Sequence, residues 1–429
     1  MRGYKILVFL LFTLIFCLPS FAQQTLTWQD CLAESQKNNP DLISAEESVR
    51  QSQASRQVTR SGLFPQVTSS ASASRTAASS NGESVKTNSY SYGANVSQLI
   101  FDGMKTPNDL AAAKENVKAS QQSYRFASSQ IRLRLRTAFV NLLKAQGLIA
   151  VTRDIAQIRK SERDLIALRY QSGLEHKGAL LNAEANLASA EFEINQAKRD
   201  VVLAQRQLNK EMGWPEFAAL SVSGDFSVKD TGINKNEQTA ASAPPDFAAI
   251  ASRHPTVLQA AAQENAAAFS VASARGSFFP KLTGQAGADR AGHQWAPKDD
   301  SWDAGLTVSM PIFDGGQRTG QLAQAKAVLN KAAADSRSAR DGIVVALVNN
   351  WNSLQDNLEL VTVREKALTA AQERAKIAEA EYSAGFITYD NWSIIEDTLV
   401  GAKKTYLDAQ ANALLAEANW IQAKGETLE

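Results

Sequence analysis

Phe278-Phe279-Pro280-Lys281-Leu282 restates, 215 positions on, the pattern of Leu63-Phe64-Pro65-Gln66-Val67, and Ile312-Phe313-Asp314-Gly315 restates, 212 positions on, Ile100-Phe101-Asp102-Gly103. Two further landmarks keep the order. Asn39-Pro40-Asp41-Leu42 returns as His254-Pro255-Thr256-Val257 at the first offset, and Tyr170-Gln171-Ser172-Gly173 returns as Tyr382-Ser383-Ala384-Gly385 at the second. The offset changes by 3 between Phe-Pro and Phe-Asp-Gly, so one connection is shorter in the second copy and the rest keeps register. Four landmarks in one order mark an internal duplication.

Each copy has the same plan. A helix ends at Phe-Pro, because proline cannot continue it. Two short Ser/Gly/Ala-rich segments follow, and Phe-Asp-Gly then opens a very long helix. That helix breaks at Ser172-Gly173 or Ala384-Gly385, and a last helix runs back. The first repeat occupies 23–213 with a β-hairpin over about 66–100, and the second occupies 247–429 with a hairpin over about 281–311. Residues 214–246 join them, a polar stretch with few apolar anchors, for which an equatorial segment wrapping the outside and a partly disordered linker are equally open readings.

The short segments alternate. Trp302, Ala304, Leu306, Val308 and Met310 fall on one face and Asp303, Gly305, Thr307 and Ser309 on the other; Tyr90, Tyr92, Ala94 and Val96 likewise oppose Ser91, Gly93, Asn95 and Ser97. Period-two alternation with a polar second face suits both a half-buried soluble hairpin and a water-filled barrel. Tyr90, Tyr92, Trp295 and Trp302 are candidates for an interfacial aromatic girdle.

The long helices are the stronger signal. From Met104 to Gln171 the chain carries one glycine, Gly147, and one proline, Pro107. Such a run makes roughly 100 Å of helix at 1.5 Å per residue. Ile131, Leu135, Ala138, Leu142, Ala145 and Ile149 are spaced by fours and threes, as are Leu347, Trp351, Leu354, Leu358 and Val361, which is coiled-coil patterning. A return helix and a leading helix stacked end to end match one long helix, the arithmetic of a tube wall. The chain supplies four strands, whereas small bacterial barrels need about eight. Closure therefore takes several chains in a ring.

The beginning of the chain reads as a secretory signal over 1–22. Arg2 and Lys5 precede an apolar run from Ile6 to Leu18, and Ser20-Phe21-Ala22 offers small residues before a cut at Gln23. Cys17 lacks the small residues of a lipoprotein site, and Cys31 alone remains after cleavage. Past the signal no run of 18 apolar residues occurs, so a closed β-barrel is the one remaining route into a membrane. A net charge of +1 with no basic run gives no footprint for nucleic acid. No phosphate loop, metal-ligand cluster or nucleophile motif is present, so neither an enzyme nor a cofactor is indicated.

These landmarks resemble the TolC-like outer-membrane factor family over essentially the whole mature chain. Phe278-Phe279-Pro280-Lys281-Leu282 and Pro311-Ile312-Phe313-Asp314-Gly315 are especially typical of it. The resemblance implies a mainly α chain with a β-barrel part. Long coiled-coil-like helices would form a periplasmic α-barrel tunnel, continued by an outer-membrane β-barrel of four strands per protomer in a homotrimer. It also implies partners: a periplasmic adaptor (membrane fusion) protein, an inner-membrane transporter of RND, ABC or MFS type, and outer-membrane lipid. The duct would serve a tripartite efflux or type I secretion system of a Gram-negative cell. The rival reading is an elongated periplasmic coiled-coil scaffold or adaptor without a pore, which leaves four alternating segments at matching points of two copies unexplained.

The resemblance also assigns candidate sites. Ser172, Gly173, Leu174, Ala384, Gly385 and Phe386 match the small-Gly-apolar turns at the periplasmic tip, which in the family meet the adaptor's hairpin; both glycines also serve as plain helix terminators. Some members close the tip with an aspartate ring beyond the second turn. Here the matching positions are Asn391 and Ile394, so that ring is not reproduced in register. Asp390 and Asp397 are the candidate gate carboxylates, with Asn391 beside them and Tyr389 and Trp392 as aromatic packing in the same turn.

Overall fold

The computed structural model describes residues 24–80, 83–226 and 244–428. The signal sequence expected at 1–22 and the later part of the joining segment lie outside the described residues. The first repeat runs β1 (Gln24–Leu26), α1 (Trp28–Asn38), α2 (Pro40–Ser61), β2 (Gln66–Ser80), β3 (Glu83–Phe101), α3 (Lys105–Gln171) and α4 (Lys177–Met212). After β4 (Leu220–Val222) come α5 (Phe247–Arg253), α6 (Pro255–Gly276), β5 (Lys281–Gly292), β6 (Asp299–Ser309), α7 (Gln317–Ser383) and α8 (Tyr389–Ala423).

The duplicated landmarks are element boundaries with matching chemistry. Asn39 Oδ1 accepts from the amides of Asp41 and Leu42 at 3.0 and 3.2 Å and so caps α2, with Pro40 in the first turn. His254 does the same for α6, its Nδ1 accepting from Thr256 N at 3.2 Å. Burial lowers the pKa of His254, which keeps the ring neutral and that nitrogen an acceptor. At Phe-Asp-Gly, Asp102 Oδ2 accepts from Thr106 N at 2.9 Å and Asp314 Oδ2 from Arg318 N at 3.2 Å. Each carboxylate satisfies a free amide at the start of a long helix. The left-handed positions that follow are Gly103 and Met104 in one copy and Gly315 and Gly316 in the other.

Helices α3 and α7 are each 67 residues long. The hairpins join in one antiparallel sheet of order β2-β3-β5-β6. Its register gathers the alternating sets. Val67 pairs with Val96, Ala71 with Tyr92 and Ala73 with Tyr90; Ala94 pairs with Ala288 and Val96 with Ala286; Ala286 pairs with Ala304 and Ala288 with Trp302. Directly paired residues share a face, so the apolar sets line one face and the Ser/Asn/Gln/Asp sets the other. Trp302 on the apolar face is 81 % exposed. Tyr90 and Trp295 meet edge to face at 6.1 Å, so half of the expected aromatic girdle packs on itself. With 12 and 11 residues, β5 and β6 are long enough to cross a bilayer, for which a tilted strand needs ~9–11.

The helices repeat the order of the strands. On the sheet side, α2 packs on α3, α3 on α6 and α6 on α7; on the turn side, α4 packs on α3, α3 on α8 and α8 on α7. Every layer therefore ends on the same two edges, β2, α2 and α4 on one and β6 and α7 on the other. The edge helices carry exposed apolar side chains, among them Val58, Leu181, Phe192, Val345 and Val363. Inside, the heptad residues Ile131, Leu135, Ala138, Leu142, Leu347 and Leu354 are buried as their spacing requires.

Midway along α3 the wall thickens. Strands β1 and β4 pair in parallel, and Leu26, Leu220 and Val222 bury against Leu135, Phe139, Leu142 and Leu208. The C-terminal residues join them: Leu428 N donates to Ser128 Oγ at 3.0 Å and Arg132 Nη1 to Thr427 O at 2.8 Å. The joining segment is thus better anchored at its start than its polarity suggested, because Leu220 and Val222 point inward from a strand. Cys31 is buried here, and burial pushes its thiol up to about 12, so it is a packing residue.

The two Phe-Asp-Gly corners differ in space. A Cβ on Gly103 would lie 2.2 Å from the Gly276 carbonyl oxygen, while one on Gly315 would meet nothing within 4 Å. Both have positive φ. Gly315→Ala is expected to cost about 1–2 kcal/mol from φ alone, and Gly103→Ala clearly more, read from thermal unfolding of the two variants in detergent. Equal losses would contradict this account of the corner.

Candidate functional site: the helix-turn tip

Both long helices end in the same turn. Leu174 N donates to Arg169 O at 2.8 Å and Gly173 N to Tyr170 O at 3.0 Å; Phe386 N donates to Glu381 O at 2.8 Å and Gly385 N to Tyr382 O at 3.0 Å. This is a Schellman ending, which needs a left-handed residue, and Gly173 and Gly385 have φ of +74° and +83°. The return helices start on side-chain caps. His176 Nδ1 accepts from Ala179 N at 3.1 Å and Thr388 Oγ1 from Asn391 N at 3.4 Å. Ser172, Leu174, Ala384 and Phe386 are exposed, Phe386 at 82 %, and, the adjacent residues aside, no atom of the described residues lies within 4 Å of a Cβ built on either glycine. The terminator role of the glycines and an open docking face are therefore compatible.

Above the turns the two repeats are locked together. Tyr382 stacks on Trp392 with centroids 4.7 Å apart, and Arg169 lies over the Tyr382 ring at 4.6 Å. The Tyr382 hydroxyl donates to Glu175 Oε2 at 2.8 Å, joining α7 to the first turn. Burial and the Glu175 carboxylate raise the Tyr382 pKa, so it stays a phenol and a donor. Tyr389 and Trp392 bury in the same cluster with Ile166, Ala179, Ala183 and Ala378.

The candidate gate residues thus divide between opposite sides of α8. Tyr389 and Trp392 pack within their own protomer. Asp390, Asn391 and Asp397 are exposed, and with Ile394 they form a stripe at helical spacing. Asp397 is also tied to α3, because Arg159 reaches it through Nη2 while its Nη1 donates to Glu162 Oε2 at 2.9 Å. Arg159 and Glu162 are both buried. Sequence reading passed over them because an Arg and a Glu three apart on a helix look like a solvated pair. Packing of α3 against α7 and α8 makes them interior, and no spacing within α3 announces it.

A family model described as "Outer membrane efflux protein" matches residues 31–213 and 248–426, one segment in each repeat. The chain belongs to the outer membrane efflux protein family. Outer membrane efflux protein BepC of Brucella suis is 24% identical over 415 residues, covering 94% of this chain and 83% of that one. Outer membrane protein TolC of Escherichia coli is 24% identical over 386 residues, covering 85% and 75%. The fold is shared with the crystal structure of the CmeC outer membrane channel of Campylobacter jejuni, at a TM-score of 0.80 and 19% identity over 92% of this chain and 84% of that one. The chain is accordingly an outer-membrane efflux channel of the TolC-like kind, reaching from the outer membrane into the periplasm. Family members are channel proteins, and the non-porous scaffold reading falls away.

Arg159 gives the tip its most sensitive single contact. Arg159→Ala leaves Glu162 as an uncompensated buried charge and is expected to cost about 3–5 kcal/mol at neutral pH. Burial already raises the Glu162 pKa, so acid neutralises the orphaned carboxylate and the loss shrinks as pH falls. Denaturation of wild type and variant at two pH values measures both effects.

Proposed function

We propose that three copies of this chain close edge to edge into one duct, with the tip as its adaptor-docking and gating end. The observation that carries the reading is the matched pair of open edges. Sheet and helical layers share one order, so pairing β6 of one copy with β2 of the next also sets α7 against α2 and α4. Four strands per chain then give a barrel of twelve, and the number three is the one implied by the TolC-like resemblance. The apolar sheet face, with Trp302, Leu306 and Val308 exposed, suits outer-membrane lipid.

In this reading Ser172, Gly173, Leu174, Ala384, Gly385 and Phe386 receive the hairpin of a periplasmic adaptor, itself coupled to an inner-membrane transporter of RND, ABC or MFS type. Their exposure and the empty space over both glycines favour that role. Asp390, Asn391 and Asp397 line the constriction, with Tyr389 and Trp392 bracing the helix from behind. In a trimer each inward carboxylate becomes a ring of three, which acts as a cation filter.

Gly173→Arg and Gly385→Arg are expected to weaken adaptor crosslinking by about tenfold, equivalent to ~1.4 kcal/mol, and to reduce efflux while heat-modifiable oligomers persist. Undiminished crosslinking and efflux in both would remove the docking assignment. Asp390→Ala and Asp397→Ala are expected to change single-channel conductance and to relieve block by multivalent cations. Unchanged conductance and block in both variants would take the gate away from this stripe.

A further inference from the structure

Just above the aromatic lock, where α3, α7 and α8 meet, buried acids outnumber the cations that serve them. Glu162 and Glu396 are 2 % and 5 % exposed. Arg159 is shared between Glu162 and Asp397. Glu396 Oε1 accepts from the neutral indole N–H of Trp392 at 3.2 Å. Glu162 Oε1 and Glu396 Oε2 are buried with no hydrogen-bond partner among the described residues. Both carboxyls line one cavity of about 430 Å³, together with Gln157, Ser161, Lys376, Glu379 and Trp392.

The charges around the pair come from all three helices. Arg159 stands on α3. Glu379 and the exposed Lys376 stand on α7. Asp397 and the Tyr389 hydroxyl stand on α8. A buried carboxylate without a cation is relieved by taking up a proton. The proton turns one oxygen into a donor, and a polar cavity of this size has room for water to accept from it.

We propose that Glu162 and Glu396 hold a proton in the packed tip, so that the joint between the α3/α4 and α7/α8 pairs is a proton-binding site that loosens when the proton leaves. The proposal rests on reading the tip as the moving end of the duct. Burial raises both carboxyls, and the charge of Glu162 raises Glu396 further. A group raised in the packed state stabilises that state at low pH and ceases to do so as pH climbs through the raised value. Acid therefore favours the packed tip. Deprotonation puts Glu396 against Glu162 and Glu379 and pushes α8 from α3.

The test uses the full-length oligomer, wild type and Glu396→Gln. Glutamine keeps an acceptor for the Trp392 N–H and carries no titrating proton. Infrared titration is expected to show a buried protonated carboxyl that persists above the ordinary glutamate range and is missing from Glu396→Gln. Conductance in planar bilayers is expected to rise about tenfold between about pH 5 and pH 8 in wild type and to stay flat in the variant. Glu162→Gln, if it assembles, is expected to lose the same band. An infrared spectrum indistinguishable between wild type and Glu396→Gln, or an unchanged pH profile of conductance in the variant, would overturn the proposal. Wild-type oligomers that conduct at no pH would instead count against the duct itself, with the infrared comparison still deciding the proton.

Discussion

The structure turns on two rows of unpaired backbone groups. The four-stranded sheet ends on β2 and on β6, and in the proposed duct its exposed apolar face lies in hydrocarbon. There no water can satisfy an open edge, and each unpaired amide or carbonyl costs several kcal/mol. A sheet of four strands cannot roll up on itself to remove that cost. In the proposed ring that edge finds another edge, β6 of one copy meeting β2 of the next. Because α2, α3, α6 and α7 follow the strand order, and α4, α3, α8 and α7 follow it too, closing the sheet closes the helical wall as well.

The duplication makes this possible by giving both halves the same corners while letting them diverge where function differs. Asp102 and Asp314 start the long helices alike, and Gly173 and Gly385 end them alike. The Gly103 corner is crowded by Gly276 and the Gly315 corner is open. That is the difference expected between a junction inside the protomer and one on the edge that meets a neighbour. The equatorial elements are also unequal. The strand pair β1 and β4 braces the first-repeat core and the C-terminal residues reach back to it, whereas Phe247 and Trp420 pack in a separate cluster on α7.

Most of the fold was legible because its signals are local and doubled. Phe-Pro, Phe-Asp-Gly and a small residue followed by Gly (Ser172-Gly173, Ala384-Gly385) punctuate both copies, and the long helix read from Met104 to Gln171 spans Lys105–Gln171. The alternating sets of β3 and β6 fell on one face because strand period is fixed at two. Less was legible where structure depends on distant partners. The three-residue strands β1 and β4 carry no periodicity of their own and exist because they pair across the chain. At the tip, the glycines were readable from their left-handed requirement. Tyr389 and Trp392 already read as aromatic packing beside the polar Asp390, Asn391 and Asp397, and helix phase puts the two sets on opposite sides of α8. The Arg159, Glu162 and Glu396 group was hidden, because burial of charge is a property of the packing of three helices and not of any one.

Native mass measurement of the detergent-extracted particle tests the central claim most directly. Edge-to-edge closure of four-stranded protomers predicts one dominant species with three times the mass of the mature chain, with no monomer at equilibrium with it. A dominant monomer that remains folded and dispersed would mean that the edges of β2 and β6 are satisfied some other way, and would contradict the account.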